Sequence, residues 1–232
     1  MCYSATASFG LSGILIGVGA ASIARNSSRP HRLFAAIPFV FAAQQAAEGI
    51  VWLTMGAPSH AMLHRLAVST FMAFALVVWP TWVPASLQRM ERNRTRRRVL
   101  AAMCWFSAAV SVSAALLLTR SQAVAHIVGH SISYSYPGTD SATLHFFMVL
   151  AYVVAVIAPL FVSTAAQART LGVALVLSVV VTFVIQREAL TSVWCFCAAI
   201  LSGLILLAVD RENQILQFSP ATAHGIARPD LP

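Results

Sequence analysis

The sequence predicts an all-α, polytopic membrane bundle of seven transmembrane helices. Three observations carry that reading. The 232 residues are 59% hydrophobic and only 9% charged, against about 25% charged in an ordinary soluble domain. The apolar residues fall into runs long enough to cross a bilayer as helices. The basic residues, all arginine, collect in the short connections between those runs.

The first span covers about Ser8 to Ala24 and is glycine-rich. The second, Leu33 to Met55, carries polar residues in its interior. The third, Leu66 to Gln88, contains Trp79-Pro80-Thr81-Trp82-Val83-Pro84. Proline there removes backbone hydrogen bonds, so the helix is expected to kink or end, with neighbours satisfying the freed carbonyls. Val99 to Thr119 and Thr143 to Ala165 are the fourth and fifth spans. Thr170 to Ile185 is a short sixth, and Ala189 to Val209 the seventh. Residues 1–209 thus form the membrane domain. The polar, proline-containing stretch 210–232 is expected to be a disordered cytoplasmic tail.

Arginine placement orients the bundle. Arg25, Arg29 and Arg32 lie in the first connection, and Arg89, Arg92, Arg94, Arg96, Arg97 and Arg98 in the third. Arg169 lies in the fifth, and Arg211 and Arg228 follow the last span. The alternate connections hold only Arg65, Arg120 and Arg187. The positive-inside rule then places the N-terminus outside, the C-terminus in the cytoplasm, and the protein in the cell membrane. The net charge of +8 is explained by topology, so nucleic acid is not an expected partner. Cys2, Cys104, Cys195 and Cys197 are too scattered for a disulfide framework, and Cys195-Phe196-Cys197 lacks the spacing of a redox pair. No cleavable signal peptide is expected, since the first apolar run follows a short uncharged leader.

The chemistry concentrates in Gln44-Gln45-Ala46-Ala47-Glu48-Gly49-Ile50-Val51-Trp52. On a helix, Gln44, Gln45 and Trp52 each stand three or four residues from Glu48 and share its face. A carboxyl at that depth costs about 2.5–3.5 kcal/mol on insertion scales, so it faces a bundle interior or cavity and marks function. The plainer reading is a helix-packing carboxyl hydrogen-bonded to its glutamines. In either case the neutral acid is the cheaper form there. With the expected topology, Glu48 lies in the outer half of its helix. The outer connection with His126, His130, Tyr134, Tyr136 and Asp140 lies at the same end, as do His145, Arg187, Glu188 and Trp194. One outward pocket would collect them.

His126 and His130 have metal-pair spacing if helical, with His145 as a third ligand. Gly129, Ser131, Ser133 and Pro137 instead read as loop, where that spacing carries little, and no metal ligand is assigned. Trp79, Trp82 and Trp105 read as interfacial anchors or packing; Trp52 and Trp194 read as pocket walls. The chain has no P-loop, no Gly-x-Ser-x-Gly nucleophile elbow and no paired-aspartate magnesium motif.

Met1-Cys2-Tyr3-Ser4-Ala5-Thr6-Ala7-Ser8-Phe9, Gln44-Gln45-Ala46-Ala47-Glu48-Gly49, Trp79 to Pro84, Gly129-His130-Ser131-Ile132 and Val193-Trp194-Cys195-Phe196 together resemble a family of small bacterial multi-pass proteins of unknown function. The resemblance implies seven spans and no particular chemistry. In size and helix count alone, the chain is also similar to the integral membrane terpene cyclases.

The expected function is closure of an isoprenoid or prenylated, optionally epoxidised, lipophilic substrate by a buried acid, without cofactor. Glu48 would be the acid, Gln44 and Gln45 its orienting amides, and Trp52 and Trp194 the substrate-binding, cation-stabilising walls. His130 or Tyr134 would take the final proton. Two other functions fit the same residues: a metal- or haem-binding redox protein using His126, His130 and His145, and a proton- or cation-coupled transporter or accessory subunit using Glu48.

Overall fold

A computed structural model describes residues 4–135, 142–185, 197, 199–207 and 209. The protein is mostly helical, and five of the described helices are long and apolar enough to cross a membrane. They cover Ala5–Arg25, Arg29–Thr54, Pro58–Met90, Arg94–Arg120 and Gln167–Val184. The expected fifth span is present as a shorter apolar stretch, Phe146–Val162. It divides into α7 (Ala142–Val156) and α8 (Ala158–Val162), where Pro159 cannot continue the hydrogen-bond ladder of the preceding helix. Much of the expected seventh span, with Trp194 and Cys195, lies outside the described residues, as do Arg187 and Glu188 just before it.

The first helix, α1 (Ala5–Arg25), starts where Ser4 Oγ accepts from the Ala7 backbone N–H, a serine N-cap. Its buried residues are Ser8, Ser12, Leu15, Gly19 and Ser22. That stripe of mostly small side chains lets the helix approach its neighbour closely. The second span is a turn at Arg29–His31, a short α2 (Arg32–Ala35), and α3 (Ile37–Thr54). A Cβ added at Gly19 would stand 2.8 Å from the Phe39 ring, and one at Gly49 would stand 2.8 Å from the Phe9 ring. The two antiparallel helices are thus keyed together at both ends. Ser12 Oγ donates to the Ala42 carbonyl at 2.8 Å between them. Within its spanning window the α2–α3 segment is 72% buried, against 22–44% for the other four candidate spans. It is therefore the central strut, and its polar residues have the least access to lipid.

The third span does not end at its prolines. It runs through α4 (Ala61–Ala73), a π-helical turn at Phe74–Val78, and α5 (Trp79–Met90). The wide turn lets Trp79 N–H reach back to the Phe74 carbonyl just before Pro80, which has no N–H to give. Hydroxyls supply further donors at this point. Thr81 Oγ1 lies 3.0 Å from the Val77 carbonyl and 2.9 Å from that of Val78. Ser111 Oγ, from α6 (Arg94–Arg120), donates to Val77 at 3.0 Å. The expected satisfaction of carbonyls by neighbours holds, and of the two expected outcomes, kink or end, the helix does not end.

After α6 the chain forms an antiparallel hairpin, β1 (Val124–Val128) with β2 (Ser131–Ser135), pairing Val128 with Ser131. The loop reading of this stretch is thereby corrected. Gly129, at φ +60°, occupies the first of two turn positions, as a tight hairpin turn of that geometry requires. The hairpin packs its Ala125 and Ile132 side chains with Ala47, Val51, Val68 and Phe71, so it covers one end of α3 and α4. The last long described helix is α9 (Ala166–Ile185), and residues 199–207 are mostly helical as well.

At the opposite, arginine-rich end, a carboxylate joins two helix junctions. Glu91, 4% exposed, follows α5. Its Oε1 accepts from Asn93 N–H at 2.9 Å and Thr164 Oγ1 at 2.8 Å, and its Oε2 accepts from Thr164 N–H at 2.7 Å. Desolvation pushes the Glu91 pKa up. The hydrogen bonds from Thr164, Asn93 and Ser163 outweigh it and hold the pKa below the usual glutamate value. Arg96 adds a bond from its guanidinium to the Val162 carbonyl at 2.9 Å.

Candidate functional site

Helical periodicity on α3 brings Gln44, Gln45 and Glu48 onto adjoining positions, and all three are 0% exposed. Glu48 stands six residues from Thr54, the end of α3, or about 9 Å along the axis. Three polar side chains are thus enclosed at the same depth of the central strut.

A fourth residue joins them from α5. Trp79 Nε1–H donates to Gln44 Oε1 at 2.6 Å, and its ring stacks on Phe41 with centroids 3.9 Å apart. Trp79 is 4% exposed, so of the two expected roles, interfacial anchor or packing, it takes the second. Trp82 likewise behaves as packing: its Nε1–H donates to the Leu33 carbonyl at 2.9 Å. The role of Trp79 was hidden in the sequence because its partner lies 35 residues away. The available signal was a tryptophan beside a proline inside an apolar run, a place where an indole N–H needs an internal acceptor.

Trp52, one turn beyond Glu48, is half-buried and packs on the cluster around Ala47, Val51 and Phe71. Its Nε1 is buried with no hydrogen-bond partner among the described residues. Tyr134, half-buried on β2, stacks on Phe71 with centroids 4.6 Å apart. The structure therefore gathers Gln44, Gln45 and Glu48 as one enclosed group, with Trp52 and Tyr134 in the apolar cluster at its hairpin-covered end. His130 sits apart, exposed in the hairpin turn, and His126 is exposed on β1 opposite Ser133. Trp194 and the side chain of His145 lie outside the described residues. Among the described residues no group of three His, Cys, Asp or Glu side chains is placed to hold a metal.

Beyond Trp79, toward the arginine-rich end, lies a cavity of ≈ 40 Å³ of water-accessible space. Its walls include Phe34, Ile37, Phe41, Trp79, Val83 and Leu87. Two hydroxyls on its lining turn back onto their own helices: Ser86 Oγ donates to Val83 O and Ser202 Oγ to Ala199 O. A cavity so lined holds apolar matter better than water. Phe41 and Trp79 belong to both features, since they wall the cavity and contact or flank Gln44.

Fold and site together define a helical protein, with helices of membrane-crossing length, that encloses a carboxyl–amide group beside an apolar, aromatic-walled cavity. The chain belongs to DUF6629, a family of unknown function, whose model matches residues 1–220. No curated protein and no solved structure matches it.

Proposed function

We propose that this is a membrane enzyme that closes an isoprenoid or prenylated substrate by protonation from Glu48. The observation that carries the reading is the complete enclosure of Glu48 with two amides, beside an indole that also walls an apolar cavity. Acid-initiated cyclisation needs a proton donor kept from water, which would otherwise compete for the cation. It also needs aromatic faces, each worth roughly 2 kcal/mol or more to a desolvated cation.

In this reading the Glu48 carboxyl gives its proton to a terminal alkene or epoxide. The resulting cation is captured by an internal double bond, one carbon–carbon bond forms, and a proton leaves, so the product has the mass of the substrate. Gln44 and Gln45 orient the acid, and Trp79 anchors Gln44. Phe41, Trp79 and Trp52 supply ring faces, with Trp194 a further candidate wall. The indole N–H of Trp52, one turn beyond the acid, is available to a substrate oxygen. The departing proton leaves toward the hairpin, where Tyr134 is the half-buried acceptor and His130 the exposed one. The test is conversion of linear prenylated and epoxidised substrates to cyclic isomers by wild-type protein and not by Glu48→Gln.

A further inference from the structure

Two ways of satisfying a serine hydroxyl recur in these helices. Those of Ser86, Ser178 and Ser202 donate to carbonyls of their own helices. Those of Ser12 and Ser111 donate across to a neighbouring segment. Ser8 on α1 does neither: it is fully buried, and its Oγ has no hydrogen-bond partner among the described residues. An unpaired buried hydroxyl destabilises the fold, and an alanine would remove that cost, so the group calls for a reason beyond packing. Ser22, Ser107 and Ser131 share the state, at the far end of α1, on α6 and on the hairpin.

Ser8 differs from those three by its place. One turn along α1, Ser12 donates to the Ala42 carbonyl. Next to Ser8 in the chain, Phe9 lays its ring 2.8 Å from where a Cβ on Gly49 would stand. These contacts of the antiparallel pair put Ser8 level with residues 45–49, on the buried face that α1 turns to α3. Its hydroxyl therefore lies at the depth of the enclosed Gln45 and Glu48. Trp52, one turn further, has a buried Nε1–H that also lacks an acceptor among the described residues. Phe9 is exposed at the bundle surface, and Gly49 beneath its ring has no side chain. Turning that ring outward opens a groove from lipid to this face of α3.

We propose that Ser8 is a substrate-binding residue that reads an oxygen, and that the substrate is an epoxidised isoprenoid rather than a hydrocarbon one. Ser8 O–H and Trp52 N–H are both donors, and a hydrocarbon chain offers no acceptor to either. An epoxide oxygen has two lone pairs: one takes the Glu48 proton and the other accepts from Ser8. The epoxide C–O bond then breaks, an internal double bond supplies the electron pair of the new carbon–carbon bond, and a proton leaves as above. The product is an isomer of the epoxide, with the oxygen kept as a hydroxyl. That hydroxyl keeps its bond from Ser8 and has a second lone pair for Trp52. This inference rests on the acid-catalysed reading above for its chemistry, and on the unpaired Ser8 hydroxyl for its ligand.

The test uses the full chain in nanodiscs, with two probes that differ by one oxygen, farnesyl acetate and its terminal epoxide. Binding, conversion and melting temperature are measured for wild type, Ser8→Ala, Ser12→Ala and Glu48→Gln. Wild type should bind the epoxide about ten- to hundredfold more tightly than its parent. Ser8→Ala should lose most of that preference and melt no lower than wild type, since it removes an unpaired group. Ser12→Ala, which loses the bond to Ala42, should melt lower and keep the preference. Glu48→Gln should keep the preference and lose conversion. A preference unchanged in Ser8→Ala, with conversion lost only in Glu48→Gln, would overturn the role of Ser8 and leave the acid reading standing. A preference lost in Ser8→Ala, with no conversion by wild type, would support Ser8 and overturn the acid reading. Wild type that binds the two probes alike, or binds neither, would overturn the assignment, as would a Ser8→Ala protein that melts well below wild type.

Discussion

Replacing Trp79 by phenylalanine isolates the contact that ties the enclosed amides to α5. Phenylalanine keeps a ring to stack on Phe41 and removes the N–H that donates to Gln44 Oε1 at 2.6 Å. Hydrogen bonds between helices of membrane proteins average about 0.6 kcal/mol and reach about 1.7. A buried acceptor that loses its donor costs about 1–3 kcal/mol. A 2.6 Å bond between two nearly inaccessible side chains belongs at the upper end of the first range, where the two ranges overlap. Removing the pyrrole portion of the indole adds about 1 kcal/mol for the space it leaves. Trp79→Phe should therefore cost about 2–3 kcal/mol in all, of which about 1–1.5 is coupling to Gln44. The assay is reversible unfolding in mixed micelles of wild type, Trp79→Phe, Gln44→Leu and the double variant. Coupling below about 0.3 kcal/mol, within the scatter of additive sites, would refute the claim that this bond holds the site together.

Three further outcomes follow from the packing. Glu91→Gln should cost about 1–3 kcal/mol at neutral pH, because it replaces charge-assisted bonds to Asn93 and Thr164 with weaker neutral ones. Since the Glu91 pKa is lowered from the usual 4.5, its stabilisation is complete above that value and lost as pH falls through the folded-state pKa. The gap between wild type and Glu91→Gln should accordingly close only in acid below about 4.5, and a gap constant down to pH 3 in unfolding measurements would count against the latch. Gly19→Ala should cost about 1–3 kcal/mol, because its Cβ would meet the Phe39 ring at 2.8 Å, and Phe39→Ala in the same chain should recover part of that loss in thermal melts. Ser111→Ala should cost about 0.6–1.7 kcal/mol by removing the donor to Val77 in the π turn; an unchanged melting temperature would show that Thr81 alone satisfies that carbonyl.

What the sequence made legible was governed by local spacing. Gln44, Gln45 and Glu48 stood out because polar residues inside an apolar run are costly and their three- and four-residue intervals define a face on any helix. Five of the expected spans have their own membrane-length helix for the same reason, the second running back to Arg29. Contacts that join distant segments were not legible. Trp79 meets Gln44 across 35 residues, and Glu91 meets Thr164 across 73. A glutamate at a span end beside arginines looks like a solvated loop residue until the second junction is seen to close over it. The hairpin was missed because Gly129 and the nearby serines are ordinary loop residues, and only the β-branched and aromatic residues flanking Gly129 distinguish paired strands from a loop. That hairpin separates His130, in its exposed turn, from Tyr134, packed on Phe71, a division that spacing alone does not reveal.

The most direct test of the central claim compares membranes carrying wild type or Glu48→Gln for conversion of linear prenylated and epoxidised substrates into cyclic isomers of unchanged mass. The account predicts cyclisation by wild type and none by Glu48→Gln at equal folded protein. Equal cyclisation by both would contradict it, because the amide cannot supply the initiating proton.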